Sequence, residues 1–126
     1  MLSDFFLASA EQLRSLDVRS GPHGSLPAVT AKGFDPIELR RLESRLRDLP
    51  EGAVEQTIVR EEDDSAVIAL GTNFRDALAA LDQAALRDYA EEWLLTDGEL
   101  EILSEVSELA RQAGQDGTHL YVWIAP

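Results

Sequence analysis

The chain has 126 residues, 44% of them apolar and 28% charged, which is ordinary globular usage and excludes both a disordered tail and a second sizeable core. It has no cysteine, and that excludes disulfides, thiolate metal sites and a cysteine nucleophile. Its 24 acids against 11 bases leave a net charge of −13, which repels phosphate backbones and anionic lipids.

Residues 3–8 (SDFFLA) are aromatic and apolar and open the chain as a strand. Ser9 stands three residues before Gln12, a capping-box spacing, so a short helix through Leu13 and Leu16 follows. Residues 20–25 (SGPHGS) are a loop by composition. Leu26 to Ala31 form an edge strand, because Pro27 cannot donate into a central ladder. Asp35-Pro36-Ile37-Glu38 is the clearest helix start: a capping aspartate, a first-turn proline and a glutamate that completes the box. Leu39, Leu42, Leu46 and Leu49 recur at helical spacing, and Pro50 and Gly52 stop the helix.

Residues 54–60 and 66–70 are β-branched or apolar and flank Glu61-Glu62-Asp63-Asp64-Ser65, a hairpin with an acidic loop. A helix begins at Asn73 with Phe74, Leu78 and Leu81 as its stripe. Asp82 caps the next, which carries Leu86, Tyr89, Ala90 and Trp93. Thr96 and Glu99 form a further capping box. The helix behind them turns Ile102, Leu103, Val106, Leu109, Ala110 and Ala113 to the core and is expected to end at Gly114. Gln115-Asp116-Gly117 then turns into a last strand, Thr118 to Ile124. No apolar run approaches the roughly 18 residues of a membrane helix, and no basic segment precedes the first apolar residues. No membrane association is expected, and the expected location is the cytoplasm. Ten arginines to one lysine, with many alanines, fit a GC-rich bacterial genome; that is a codon argument, not a physical one.

Catalytic motifs are missing. The chain has no G-x-S-x-G elbow, no serine–lysine pair and no P-loop. Its two histidines, His23 and His119, match no metal spacing, so neither a metal nor a cofactor is expected. Residues 61–64 lack the spacing and glycine of a calcium loop and read as a solvated hairpin tip that discourages edge pairing. The last strand is unusual on both faces. Leu120, Val122 and Ile124 share one, and His119, Tyr121 and Trp123 share the other. Such a strand is either buried twice, between two layers, or it presents an aromatic surface to a partner or ligand.

Charge is segregated. Arg40, Arg41, Arg45 and Arg47 crowd one helix. Asp97, Glu101, Glu105 and Glu108 form an acidic stripe along another, at i, i+4, i+8 and i+11, opposite its apolar face and with no lysine to relieve it. Either the arginine helix partly meets these acids, or they form a docking surface for a basic partner.

The C-terminal half has a short helix over Phe74–Leu81, a capped helix from Asp82, a long helix ending in Ala110-Arg111-Gln112-Ala113-Gly114 and a closing strand from His119 to Ile124. This order is similar to that of small bacterial proteins of unknown function of the YfbM-like kind. The resemblance covers residues 73–124. It implies an α+β fold and transfers no functional residue; the N-terminal half departs from it.

The sequence therefore predicts a single α+β domain over residues 1–126. Its sheet is mixed or antiparallel, of four to five strands, with helices mainly on one face. The leading functional expectation is a non-enzymatic, acidic, protein-binding domain of inhibitor or immunity type, acting through Asp97, Glu101, Glu105 and Glu108 on a basic protein, without direct nucleic-acid binding. The alternative is a small-molecule-binding protein or enzyme with a pocket at His119, Tyr121 and Trp123.

Overall fold

The computed structural model describes residues 2–22, 24–32 and 35–126, so His23 lies outside the described residues. Strand β1 (Leu2–Ala8) opens the chain. Ser9 caps helix α1 (Ala10–Ser15): its hydroxyl accepts from the Gln12 N–H at 3.1 Å, and the Gln12 side chain accepts from the Ser9 N–H at 2.9 Å. Strand β2 (Ala28–Lys32) follows the glycine-bearing loop. Helix α2 (Pro36–Arg47) starts where Asp35 accepts from the Glu38 N–H at 2.8 Å. The expected box stops there, because the Glu38 carboxylate turns to Arg41 instead. A 3₁₀ turn at Glu51–Ala53 leads to the hairpin of β3 (Thr57–Glu62) and β4 (Ser65–Ala69). Helices α3 (Thr72–Ala79), α4 (Gln83–Glu92) and α5 (Asp97–Asp116) then precede strand β5 (His119–Ala125).

The sheet has the order β2-β1-β5-β4-β3, and every neighbouring pair is antiparallel. The strands nearest the two ends of the sequence lie side by side, paired from Leu2 opposite Ala125 to Ala8 opposite His119. This is the α+β architecture that the sequence predicts. Helices α2 to α5 cover one face. There Phe5, Leu7, Ile68, Leu120 and Val122 of the sheet meet Leu39, Leu42, Phe74, Leu78, Leu103 and Val106 of the helices. On the other face a smaller core gathers Phe6, Val67, Tyr121 and Trp123 under Leu16 and Val18. No helix among the described residues is long and apolar enough to cross a membrane.

Several boundaries differ from expectation by a few residues, and three of them have a clear local reason. Helix α2 ends at Arg47, before Leu49, because Asp48 takes a left-handed conformation (φ 53°) and the Leu49 N–H turns back to the Ser44 carbonyl at 3.0 Å. Helix α5 runs through Gly114 to Asp116, and Gly117 (φ 75°) is the residue that ends it. The Asp116 carboxylate fixes that exit by accepting from the Thr118 N–H at 3.0 Å and from the Thr118 hydroxyl. In the hairpin, Glu61 and Glu62 belong to β3, and the turn shrinks to Asp63-Asp64 with Asp63 at φ 53°. Two-residue turns suit the twist of paired strands, and aspartate tolerates the left-handed region.

Candidate partner-binding surface

Helix α5 positions the acidic residues. Thr96 and Glu99 cap it reciprocally, at 3.2 and 3.1 Å. Leu103, Val106, Leu109, Ala110 and Ala113 are buried and fix which way the helix faces. Asp97, Glu101, Glu105 and Glu108 are consequently all exposed, in one row that Gln112 continues. Asp97, Glu101 and Glu105 make no ion pair among the described residues. Glu108 does: Arg111 Nη2 lies 2.7 Å from its carboxylate. An arginine one turn away thus relieves the row, although no lysine does.

The arginine helix does not. Arg41 pairs with Glu38 and Glu51, Arg45 with Glu92 at 2.7 Å, and Arg47 with Glu43 at 2.5 Å. These partners lie on α2 itself, on the following turn and on α4. The expected compensation of α5 by α2 is therefore absent among the described residues.

Clefts border the row toward β2 and toward α4. A groove of about 960 Å³ separates β2 from α5 and is lined by Ala28, Val29 and Thr30 on one side and Glu105, Glu108 and Gln112 on the other. A smaller cleft of about 300 Å³ lies where α4 meets α5, with Asp97, Glu101 and Arg87 beside Leu86 and Leu100. The four carboxylates thus divide two and two. Sequence spacing puts them in one row, but only the packing of β2 and α4 shows what each half faces.

Arg111 and Ser107 were not singled out by the sequence reading. Ser107 is fully buried, and its hydroxyl donates to the Leu78 carbonyl at 2.7 Å. Arg111 Nη1 donates to the Ala79 and Leu81 carbonyls at 3.0 and 3.2 Å. Together they satisfy carbonyls left open at the end of α3 and pin it to α5. The only sequence signal was the i, i+3 spacing of Glu108 and Arg111.

The aromatic strand resolves differently. β5 is the middle strand of the sheet, and both its faces are covered. Tyr121 and Trp123 are 7% and 3% exposed. Tyr121 packs on Phe6 with ring centres 5.5 Å apart, and burial pushes its phenol pKa up. Trp123 Nε1 donates to the Val18 carbonyl at 2.6 Å. Gly21 lies flat against the indole: a Cβ there would come within 2.8 Å of the ring. His119 is exposed at the strand's first position, 6.4 Å from the Tyr121 ring. None of these three residues lines either cleft above. Tyr121 and Trp123 are core.

Among the described residues no group of three or more histidine, aspartate or glutamate side chains is placed to hold a metal. The acidic hairpin tip is tied to Arg19, which lies 3.3 Å from Glu62 and 2.8 Å from Asp63. Comparison of the chain with protein-family models, curated proteins and solved structures gave no match in any of the three.

Proposed function

We propose that this chain is a non-enzymatic protein-binding domain that captures a basic partner on the acidic row of α5, in the manner of a bacterial cytoplasmic inhibitor or immunity protein. The observation that carries the reading is selective neutralisation. Arg19, Arg41, Arg45 and Arg47 all find carboxylates elsewhere on the surface. Asp97, Glu101 and Glu105 stand at i, i+4 spacing and make no ion pair among the described residues, although Arg87 lines the cleft that holds Asp97 and Glu101. Like charges at that spacing each cost a few tenths of a kcal/mol. A fold that tolerates this cost retains a field that speeds encounter with a cation-bearing surface and rejects acidic ones.

The test compares the chain with its E101K/E105K/E108K variant. Both are immobilised and exposed to a lysate of the source cell at low salt. Elution by salt of a basic protein from the unmodified chain, and not from the variant, is the expected result. Equal retention on both would overturn the reading, provided circular dichroism shows that the variant is folded.

A further inference from the structure

The two edges of the sheet are not equivalent. At one edge, β3 is irregular: its register against β4 shifts between Ile58 and Arg60. A bulge of this kind twists an edge away from further pairing. Arg60, Glu61 and Glu62 add charge along the same strand. At the other edge, β2 pairs with β1 in unbroken register, from Leu2 opposite Lys32 to Phe6 opposite Ala28.

The direction of the free backbone groups on β2 follows from one bond. The Leu7 N–H donates to the Pro27 carbonyl at 3.0 Å. In an antiparallel pair, bonded and non-bonded positions alternate. Val29 and Ala31 therefore bond to β1, while Ala28 and Thr30 aim their N–H and C=O groups away from the sheet. Both residues are exposed. Neither makes a backbone hydrogen bond outside the strand pair among the described residues. A regular strand edge of this kind is a template for another strand.

This edge is also one wall of the 960 Å³ groove, and Glu105 and Glu108 stand on the opposite wall with Arg111, whose guanidinium is held by Glu108 and by the Ala79 and Leu81 carbonyls. Glu105 has no cationic partner among the described residues, and Glu108 shares only Arg111. We propose that the groove between β2 and α5 takes an extended, basic segment of a partner protein, which adds to the sheet as a sixth strand beside β2. Backbone bonds to Ala28 and Thr30 supply the register. Alternate side chains of the added strand then point toward α5, so arginine or lysine at every second position meets Glu105 and Glu108. A second copy of this chain is the wrong occupant on charge grounds, because each copy carries −13.

The inference rests on the acidic row being a docking surface, but it asks for more: backbone pairing at β2. The probes are peptides selected from a displayed library of random ten-residue segments. Enrichment of segments with basic residues at alternate positions is expected, with amide shift changes at Ala28, Thr30, Glu105 and Glu108. N-methylation of alternate backbone nitrogens in the selected peptide should weaken it roughly tenfold or more, because it removes hydrogen bonds without touching the fold. Thr30→Pro should do the same, since the Thr30 N–H serves no bond within the sheet. Glu105→Lys should weaken binding, and Glu11→Lys, exposed on α1 at the other face of the sheet, should leave it within about twofold.

Basic peptides that bind equally well when N-methylated would overturn strand addition and leave acidic docking intact. Enrichment of peptides without basic residues, or of none, would overturn both. Self-association of the chain that Thr30→Pro abolishes would overturn the proposal in favour of a second copy.

Discussion

The two faces of the sheet are closed by different means. On one, helices α2 to α5 bury a continuous apolar layer around Phe5, Phe74, Leu103 and Val122. On the other, a helix of six residues and an irregular segment cover Phe6, Tyr121 and Trp123. That thin cover hangs on a few polar ties. Trp123 holds the Val18 carbonyl, Arg60 Nη1 holds the Leu13 carbonyl at 2.6 Å, and Arg19 reaches across to Asp63. A broad apolar layer is redundant, because each side chain has many neighbours. A cover held by few bonds is not. The helical side should therefore set global stability, and the thin side should govern local opening.

The largest expected effects test that division directly. Phe74→Ala and Trp123→Ala each remove a buried aromatic side chain and should each cost about 3–5 kcal/mol. The readouts should differ. Phe74→Ala should lower the protection of slow-exchanging amides throughout the sheet. Trp123→Ala should in addition expose residues 16–22 to exchange well below the unfolding transition. Identical exchange patterns in the two variants would break the distinction. Fluorescence offers a second view, because each face carries one of the two tryptophans. The Trp93 Nε1 is buried without an acceptor among the described residues, so Trp93→Phe loses no hydrogen bond seen there and leaves Trp123 as the sole reporter of the thin side.

The helical face was the more legible of the two in the sequence. Asp35, Asp82 and Thr96 all cap where they were expected to, because a capping residue and its partner lie within one turn of each other. The stripes behind them are buried for the same local reason. The acidic row was legible as a row. Its surroundings were not, because β2 lies some seventy residues ahead of α5, and no local spacing reports their approach. The aromatic face of β5 was ambiguous for a related reason. Alternation shows that two faces are apolar, but whether a cover exists depends on Leu16, Val18 and Gly21, which carry no periodic signal.

Gly21 gives the next largest effect on the thin side. It combines φ +80° with direct contact against the indole, whereas Gly24 has φ +78° and nothing within 4 Å of an added Cβ. Gly24→Ala should cost about 1 kcal/mol from backbone strain alone. Gly21→Ala should cost about 2–3 kcal/mol, because the indole must also move. Denaturant midpoints of the two variants measure the difference. Equal losses would mean that the loop yields without disturbing Trp123.

On the helical side the corresponding weak point is Leu94. It follows α4 at φ 53° and is 88% exposed, while the Leu95 N–H closes back to the Ala90 carbonyl at 2.9 Å. That is a Schellman ending with leucine where glycine is usual. Leu94→Gly should stabilise the chain by about 1 kcal/mol, read as a raised denaturation midpoint. No gain would show that the leucine side chain contributes packing that its exposure hides.

The smallest effect compares the faces through their tyrosines, one on each. Burial, with the charge of Glu38 adding to it, pushes the Tyr89 phenol from 10.0 up to about 12. Burial alone pushes Tyr121 in the same direction. A buried phenol keeps its proton after the unfolded chain has lost it. Between pH 10 and 12 the unfolded state therefore binds fewer protons, and stability falls as pH rises through that window, having been fully present below it. Tyr89→Phe should flatten the fall, and Tyr121→Phe should flatten it as well. Phenolate absorbance distinguishes the two sides. If the thin cover opens locally, Tyr121 should ionise before Tyr89, while circular dichroism is still native and Trp123 fluorescence has already shifted. Simultaneous ionisation of both at the unfolding transition would mean that the two faces open as one unit, whatever the difference in how they are held.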